Sequence, residues 1–437
     1  MKVSFFGGAG EVGRSCILLQ TDKTKIIIDA GVKLGEHVEL PLISDDELTD
    51  LTGIVISHAH LDHIGYLPHI YSRGYKGHIY ATKPTTELTN VLISDYIRIS
   101  NPQDVTKEGI KQMMLKYKAV EYFEEFNINE LKIKLIPAGH ILGSAMVHIS
   151  DGKSSILYTG DINTYKTKLF DGTYLKDLAA DTLIIESTYG GKDNVFDLER
   201  DIVKDLMASI KQTINNGGKV LIPSFAAGRA QEVLLLLDDH INSGVIPKVP
   251  IYIDGMINRA MRIHRHNVIY CRKELQSRIL MSDYDPFRNK NFHPVERKST
   301  RNKVVTEDQS CIIVTTSGML TGGPVLFYLP KLANNAANKI MMVGYQAQGT
   351  PGRALQENSK NFRINKEHID VKMSVETYHI SGHADRNGLE TVIKKVSGLK
   401  KVFVVHGEKS RSESLREYVE KEGMEGILPQ IGSIYEV

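Results

Sequence analysis

Through the first 190 residues, short apolar runs stop at polar chemistry. Lys25 to Ile28 leads into Asp29-Ala30-Gly31, and Gly53 to Ser57 into His58-Ala59-His60; Ile156 to Thr159 leads into Gly160-Asp161, and Leu183 to Ile185 into Glu186-Ser187-Thr188. Runs of this length, rich in β-branched residues, predict strands whose ends converge along one edge. From about residue 195 the period lengthens. Ile202, Leu206, Ile210 and Ile214 recur every four positions, after Asp197 as an N-cap and before Gly217-Gly218, which predicts an amphipathic helix. Strand-like and helix-like runs then alternate: Lys219 to Ile222 before Gln231 to Ile241, Ile251 to Ile253 before a basic helix, and Ile312 to Thr315 before Val325 to Leu332. That rhythm predicts βαβ units around a parallel sheet. Past about residue 373 the earlier style returns, with Val371 to Ile380 before His383 and Lys401 to Val405 before His406. The expected class is α/β, with a first domain (1–192) interrupted by a second (193–372) and completed by residues 373–437.

The composition suits a globular protein: of 437 residues, 41% are hydrophobic and 24% charged, which excludes a disordered or fibrous chain. Cys16, Cys271 and Cys311 are far apart and form no C-x-x-C pair, so they predict a reducing compartment and buried small side chains rather than a disulfide framework. The run Val3 to Phe6, broken by Gly7-Gly8, is too short for a signal peptide, and no stretch approaches the ~20 apolar residues of a membrane span. A cytoplasmic protein is expected. Charge is uneven: residues 195–370 hold 24 Lys+Arg against 17 Asp+Glu, leaving 30 against 35 for the rest. Within that insert, positions 259–303 carry 12 basic and 4 acidic residues. Either a polyanion-binding surface or a solvated helix and loop explains this.

Gly8-Ala9-Gly10-Glu11-Val12-Gly13 matches G-x-G-x-x-G, but a dinucleotide site needs a helix next, whereas Ser15 to Leu19, Thr21 to Thr24 and Lys25 to Ile28 predict a β-hairpin. The glycines are expected to shape a tight bend. His58-Ala59-His60-Leu61-Asp62-His63 is different. Three imidazoles and a carboxylate within six residues are expensive to bury unless they bind a cation. On a loop leaving a strand, His58 and His60 can face one position while Asp62 and His63 reach a second. Further donors stand at other strand ends: His140 in Pro137-Ala138-Gly139-His140, Asp161, able to bridge two cations, and His406.

With His58 to His63, His140, Asp161 and Asp29, the chain resembles the metallo-β-lactamase superfamily, and with Glu186, His383 and His406 its β-CASP ribonuclease family. Pro223-Ser224-Phe225-Ala226-Ala227-Gly228-Arg229, Thr316-Ser317-Gly318-Met319-Leu320-Thr321-Gly322-Gly323, Gly344-Tyr345-Gln346-Ala347-Gln348-Gly349-Thr350 and Ser381-Gly382-His383-Ala384-Asp385 extend the resemblance over almost the whole chain. It is similar to the endonuclease subunit of cleavage and polyadenylation specificity factor and its compact prokaryotic homologues. The resemblance implies an αββα sandwich carrying an inserted parallel-sheet β-CASP domain. With 31 residues after His406 and a first strand beginning at Val3, the minimal two-domain version is expected. Histidine at 406 implies RNA rather than DNA.

The resemblance further implies two zinc ions per chain, one held by His58, His60 and His140, the other by Asp62, His63 and His406, with Asp161 shared. Two cations ~3.5–4 Å apart can bridge a hydroxide and stabilise both oxygens of a phosphoryl displacement. Asp62, Glu186 and His383 are the expected catalytic residues, with His383 as general acid oriented by Glu186; a helix cap is the other reading of Glu186. Asp29 either orients the His58 loop or simply forms the turn before Gly31. Ser224, Arg229, Ser317, Gly318, Gly344, Gly349 and Arg353 lie where exposed N–H groups at helix starts and turns could hold phosphates of single-stranded RNA, or where turn chemistry alone requires them. The expected activity is hydrolysis of RNA phosphodiester bonds, endonucleolytic or 5′-to-3′. A small-ester hydrolase of the same fold and a non-catalytic RNA-binding scaffold are the alternatives. Ligand chemistry alone admits manganese or iron as well as zinc. No membrane partner is expected, and relatives of this kind often form homodimers.

Overall fold

A computed structural model describes residues 1–35, 37–357, 362–364 and 367–437, and they divide into two units. The first comprises Met1–Lys166, Phe170–Val195 and His383–Val437; the second comprises Thr167–Leu169 and Phe196–Gly382.

The first unit is built on two seven-stranded mixed sheets. One runs in the order Ile434–Glu436, Lys2–Gly7, Cys16–Gln20, Lys25–Ala30, Gly53–Val55, His78–Ala81, Tyr117–Ala119. The other runs Glu425–Ile427, Lys401–Val405, Thr182–Glu186, Ser155–Tyr158, Ala145–Ser150, Leu131–Pro137, Glu125–Ile128. Strand alternation explains why the central runs are apolar throughout. Ile156, Tyr158, Ile184 and Phe403 face a core shared with Val3, Phe5, Ile17, Ile26 and Ile28 of the first sheet. Their neighbours Leu157, Leu183, Ile185, Val402 and Val404 point the other way, onto Leu389, Val392, Ile393, Leu415 and Val419 of the helices Arg386–Lys395 and Lys409–Lys421. This is the expected sandwich.

Parallel pairing sets the strand ends in line, with Ile28 opposite Val55, Tyr158 opposite Ile184, and Glu186 opposite Val405. Each of the four chemical groups read at strand ends therefore lies at a carboxyl end. Cys16–Gln20 and Lys25–Ala30 form the antiparallel hairpin expected after the glycine-rich bend, and no helix follows Gly13.

The second unit carries a six-stranded, all-parallel sheet in the order Phe292–Val295, Ile251–Asp254, Ile312–Thr315, Val220–Pro223, Lys339–Met342, Ser374–Thr377. Two expectations need correction. The helix read from Ile202 spans Glu199–Asn215, and its N-cap is Leu198, not Asp197. Phe196 stacks on His379 with centroids 4.9 Å apart, fixing the chain just before the helix, and Glu199 and Asp201 supply the first-turn negative charge instead of a side-chain cap. The strand read between Val371 and Ile380 is Ser374–Thr377, and it extends the insert's sheet by pairing with Lys339–Met342 rather than returning to the first unit. A half-exposed edge strand looks the same in sequence whichever sheet it joins. All three cysteines are unbridged and buried, and no described helix is long and apolar enough to cross a membrane.

Candidate metal centre

Five strand ends of the first unit supply the donors. His58 to His63 follow Gly53–Val55, His140 follows Leu131–Pro137, Asp161 follows Ser155–Tyr158, Glu186 closes Thr182–Glu186, and His406 follows Lys401–Val405. Gly31 makes room for the turn: a Cβ there would stand 1.7 Å from Asp62 O, while Ser15 N–H donates to that same oxygen at 2.8 Å.

The donors fall into two groups. His58, His60, His140 and Asp161 offer atoms all within 4.8 Å of one another, and so do Asp62, His63 and His406. Asp161, 2% exposed, stands between them. Its Oδ2 lies 3.4 Å from His58 Nε2 and 3.7 Å from His140 Nε2; its Oδ1 lies 3.4 Å from both His63 Nε2 and His406 Nδ1. Each group thus has one oxygen of the same carboxylate. His406 Nε2 is also 3.3 Å from Asp62 Oδ2. Glu186 forms a third triple with Asp161 and His406. Its oxygens are occupied, however: Oε1 accepts Ile162 N–H at 2.8 Å, and both meet His383 Nδ1 at 3.1 Å.

Burial and charge pull against each other here. Burial, with His63 beside it, lowers His58 well below its ordinary range. Burial would also raise the Asp161 carboxyl, but His406, His63 and His58 draw it well below the usual value. Burial would lower His63, yet Asp161, Asp29 and Asp62 hold it well above. At His383 burial likewise works downward, and Glu186 followed by Asp161 outweighs it, to about 9.

A cation fits these residues. His58 Nε2, His63 Nε2 and Asp161 Oδ1 are buried and make no hydrogen bond, which is costly for such atoms unless a ligand completes them. The donors are imidazole nitrogen and carboxylate oxygen, a set suited to zinc.

Asp29, at φ +56°, lies at the base of this site. Its carboxylate accepts from His63 Nδ1 at 2.7 Å, from Ser57 N–H at 2.7 Å, from Ser57 Oγ at 2.6 Å and from Tyr158 Oη at 2.8 Å. It therefore touches His63 directly and His58 only through Ser57. Sequence reading passed over Ser57 and Tyr158 as strand residues. The available signal was period two, which turns Tyr158 inward with Ile156, where a buried hydroxyl must find an acceptor.

Three family comparisons cover most of the chain. Residues 18–187 match the metallo-beta-lactamase superfamily domain, 230–355 the Beta-Casp domain, and 368–429 the Zn-dependent metallo-hydrolase RNA specificity domain. Transcription termination factor FttA of Methanocaldococcus jannaschii is 38% identical over 431 residues, spanning 94% of this chain and 67% of that protein. The chain belongs to the β-CASP family of the metallo-β-lactamase superfamily. Other family members named transcription termination factor FttA are 37% identical in Methanothermobacter thermautotrophicus, over 93% of this chain and 67% of that one, and 38% identical in Pyrococcus abyssi, over the same shares. A crystal structure of a protein of unknown function from Enterococcus faecalis has the same fold, with a TM-score of 0.62 at 15% identity over 100% of this chain and 99% of that one. This β-CASP protein carries an RNA-specific, zinc-dependent metallo-hydrolase domain with a histidine-rich metal site.

In the second unit, Ser224, Ser317, Gly318 and Gly344 follow three adjacent parallel strands, and Gln346 Nε2 ties Gly318 O to Gly344 O at 3.0 and 3.2 Å. Gly349 lies in the next loop, and Arg353 on the helix Pro351–Gln356. The expectation of open N–H groups needs correction at four positions. Ser224 N–H donates to Thr315 O, Ser317 N–H to Gly322 O, Arg229 N–H to Ala227 O and Arg353 N–H to Thr350 Oγ1. Turn and strand closure use these donors internally.

Proposed function

We propose that the protein is a ribonuclease that hydrolyses RNA phosphodiester bonds with two zinc ions per chain. The observation that carries this reading is the division of Asp161, whose two oxygens each face a separate donor group. His58, His60 and His140 would hold one ion, Asp62, His63 and His406 the other, with Asp161 shared. A divalent pair supplies acidity to water and neutralises charge on a phosphate. The chain's own residues supply orientation and a proton. Glu186 grips His383 through Nδ1 and holds it charged, so that Nε2 donates to the departing oxygen. Asp29 fixes the rings of His63 and, through Ser57, His58.

We take the two units as the hydrolase domain and its insert, moving the boundaries from 192/193 to 195/196 and from 372/373 to 382/383, the latter because Ser374–Thr377 pairs inside the insert's sheet. The insert's surplus of cations would hold the strand of RNA. Similarity to proteins named transcription termination factors suggests nascent transcripts as the natural substrate.

The test is RNA labelled separately at each end, incubated with the purified protein and with an Asp62→Asn, His63→Ala variant. Cleavage is expected for the native chain and not the variant, with elemental analysis giving two equivalents of zinc. Equal cleavage by both would assign the activity to a contaminant and end the proposal.

A further inference from the structure

More donors converge on Asp29 than orienting a single histidine requires. Oδ2 alone meets Ser57 Oγ at 2.6 Å, His63 Nδ1 at 2.7 Å and Tyr158 Oη at 2.8 Å, and Asp29, Ser57, His58 and His63 are all at most 1% exposed. A hydroxyl has one proton. At 2.6 Å from a carboxylate, Ser57 gives that proton to Asp29, so its oxygen turns lone pairs toward His58 Nδ1, 3.1 Å away. His58 Nδ1 must then carry a hydrogen, leaving the lone pair on Nε2. His63 gives its Nδ1–H to Asp29 directly, which leaves Nε2 as the nitrogen that would turn to a cation. Both Nε2 atoms are buried without a hydrogen bond, and they face different oxygens of Asp161, each at 3.4 Å. One of these histidines belongs to each donor group.

We infer that Ser57 is a positioning residue that relays Asp29 to His58, so that one buried carboxylate sets the ligand tautomer in both cation positions. The inference rests on the metal-binding reading above. Removing the Ser57 hydroxyl frees His58 to adopt either tautomer, while His63 keeps its contact and the Ser57 N–H still reaches Asp29 Oδ1. The loss should fall on one position. Removing the Tyr158 hydroxyl leaves both histidines oriented.

Metal-free native chain, Ser57→Ala, Ser57→Thr and Tyr158→Phe are titrated with zinc and with cobalt(II) against a chelator. In Ser57→Ala one equivalent is expected to bind about 10–100-fold more weakly, the range seen when an outer partner of a metal-bound histidine is removed, while the other stays within a few-fold. Ser57→Thr retains a hydroxyl and restores the first, and Tyr158→Phe changes neither by more than a few-fold. Unchanged affinities in Ser57→Ala, or equal weakening of both equivalents, overturn the relay alone. Failure of the native chain to bind any transition metal overturns the metal reading and the relay with it. A second measurement does not depend on how the variants fold: histidine nitrogen chemical shifts of the metal-free native chain should show His58 and His63 both protonated at Nδ1. His58 protonated at Nε2 would contradict the relay.

Discussion

His406 and Asp29 hold φ angles of +48° and +56°, a region strained for residues with a Cβ. The surrounding backbone secures both: His406 N–H donates to Gly8 O at 2.6 Å, and Gly31 N–H, two residues beyond Asp29, donates to Ser15 O at 2.9 Å. At this scale the histidine motif declared itself in the sequence, because the rarity of its spacing is a local property. The partners of those histidines did not, since Ser57, just past its strand, and Tyr158, at the end of another, look ordinary in sequence until folding sets them against Asp29. Glu186→Gln should lower turnover on RNA by about 10²- to 10⁴-fold, the usual weight of general acid catalysis, with metal content unchanged. Metal analysis checks this; a parallel loss of metal would make Glu186 a ligand instead. Gly31→Ala should cost about 3 kcal/mol or more in denaturant unfolding, because the new Cβ would overlap the carbonyl of Asp62. Near-native stability would mean that the His60 to Asp62 turn yields easily.

Among elements, Ile312–Thr315, Val325–Leu332 and Lys401–Val405 have the bounds their periodicity predicted, since each is bracketed by polar or turn residues and buried by its own pattern. The start of Glu199–Asn215 was misplaced by one residue because an aromatic stack, not a cap, precedes it. Its first residue has a measurable consequence. Burial, and next the nearby Glu232, raise the Glu199 carboxyl from 4.5 to about 7. The folded state therefore holds this proton more tightly than the unfolded chain, and stability is lost as pH rises from about 4.5 through 7. Glu199→Gln should raise the melting temperature at pH 8 and leave it nearly unchanged at pH 4. An equal effect at both pH values would remove the charge explanation.

Across the whole molecule the basic residues of the insert divide into two kinds. Arg265 pairs with Asp285, Arg278 with Asp238 and Asp239, and Arg301 with Asp254, so these cations brace the fold. Arg259 and Arg262, exposed one turn apart on the helix Ile257–His266, make no ion pair among the described residues and remain available to phosphate. Arg259→Glu with Arg262→Glu should weaken RNA binding by the metal-free protein and reduce the slope of log affinity against log salt by about 1.4, at ~0.7 for each single-strand phosphate no longer neutralised. An unchanged slope would place the strand elsewhere.

The sequence by itself determined the α/β class, the inserted parallel sheet and the histidine motif at 58–63, which follow from spacing and alternation along short stretches of chain. Only the tertiary structure decided that Asp62 and His406, 344 positions apart, come within 3.3 Å, that Asp161 divides its oxygens, and that the last strand of the insert pairs where it does. Such juxtapositions depend on which strands lie side by side and in what register. Packing of both sheet faces sets that choice, and no local preference encodes it.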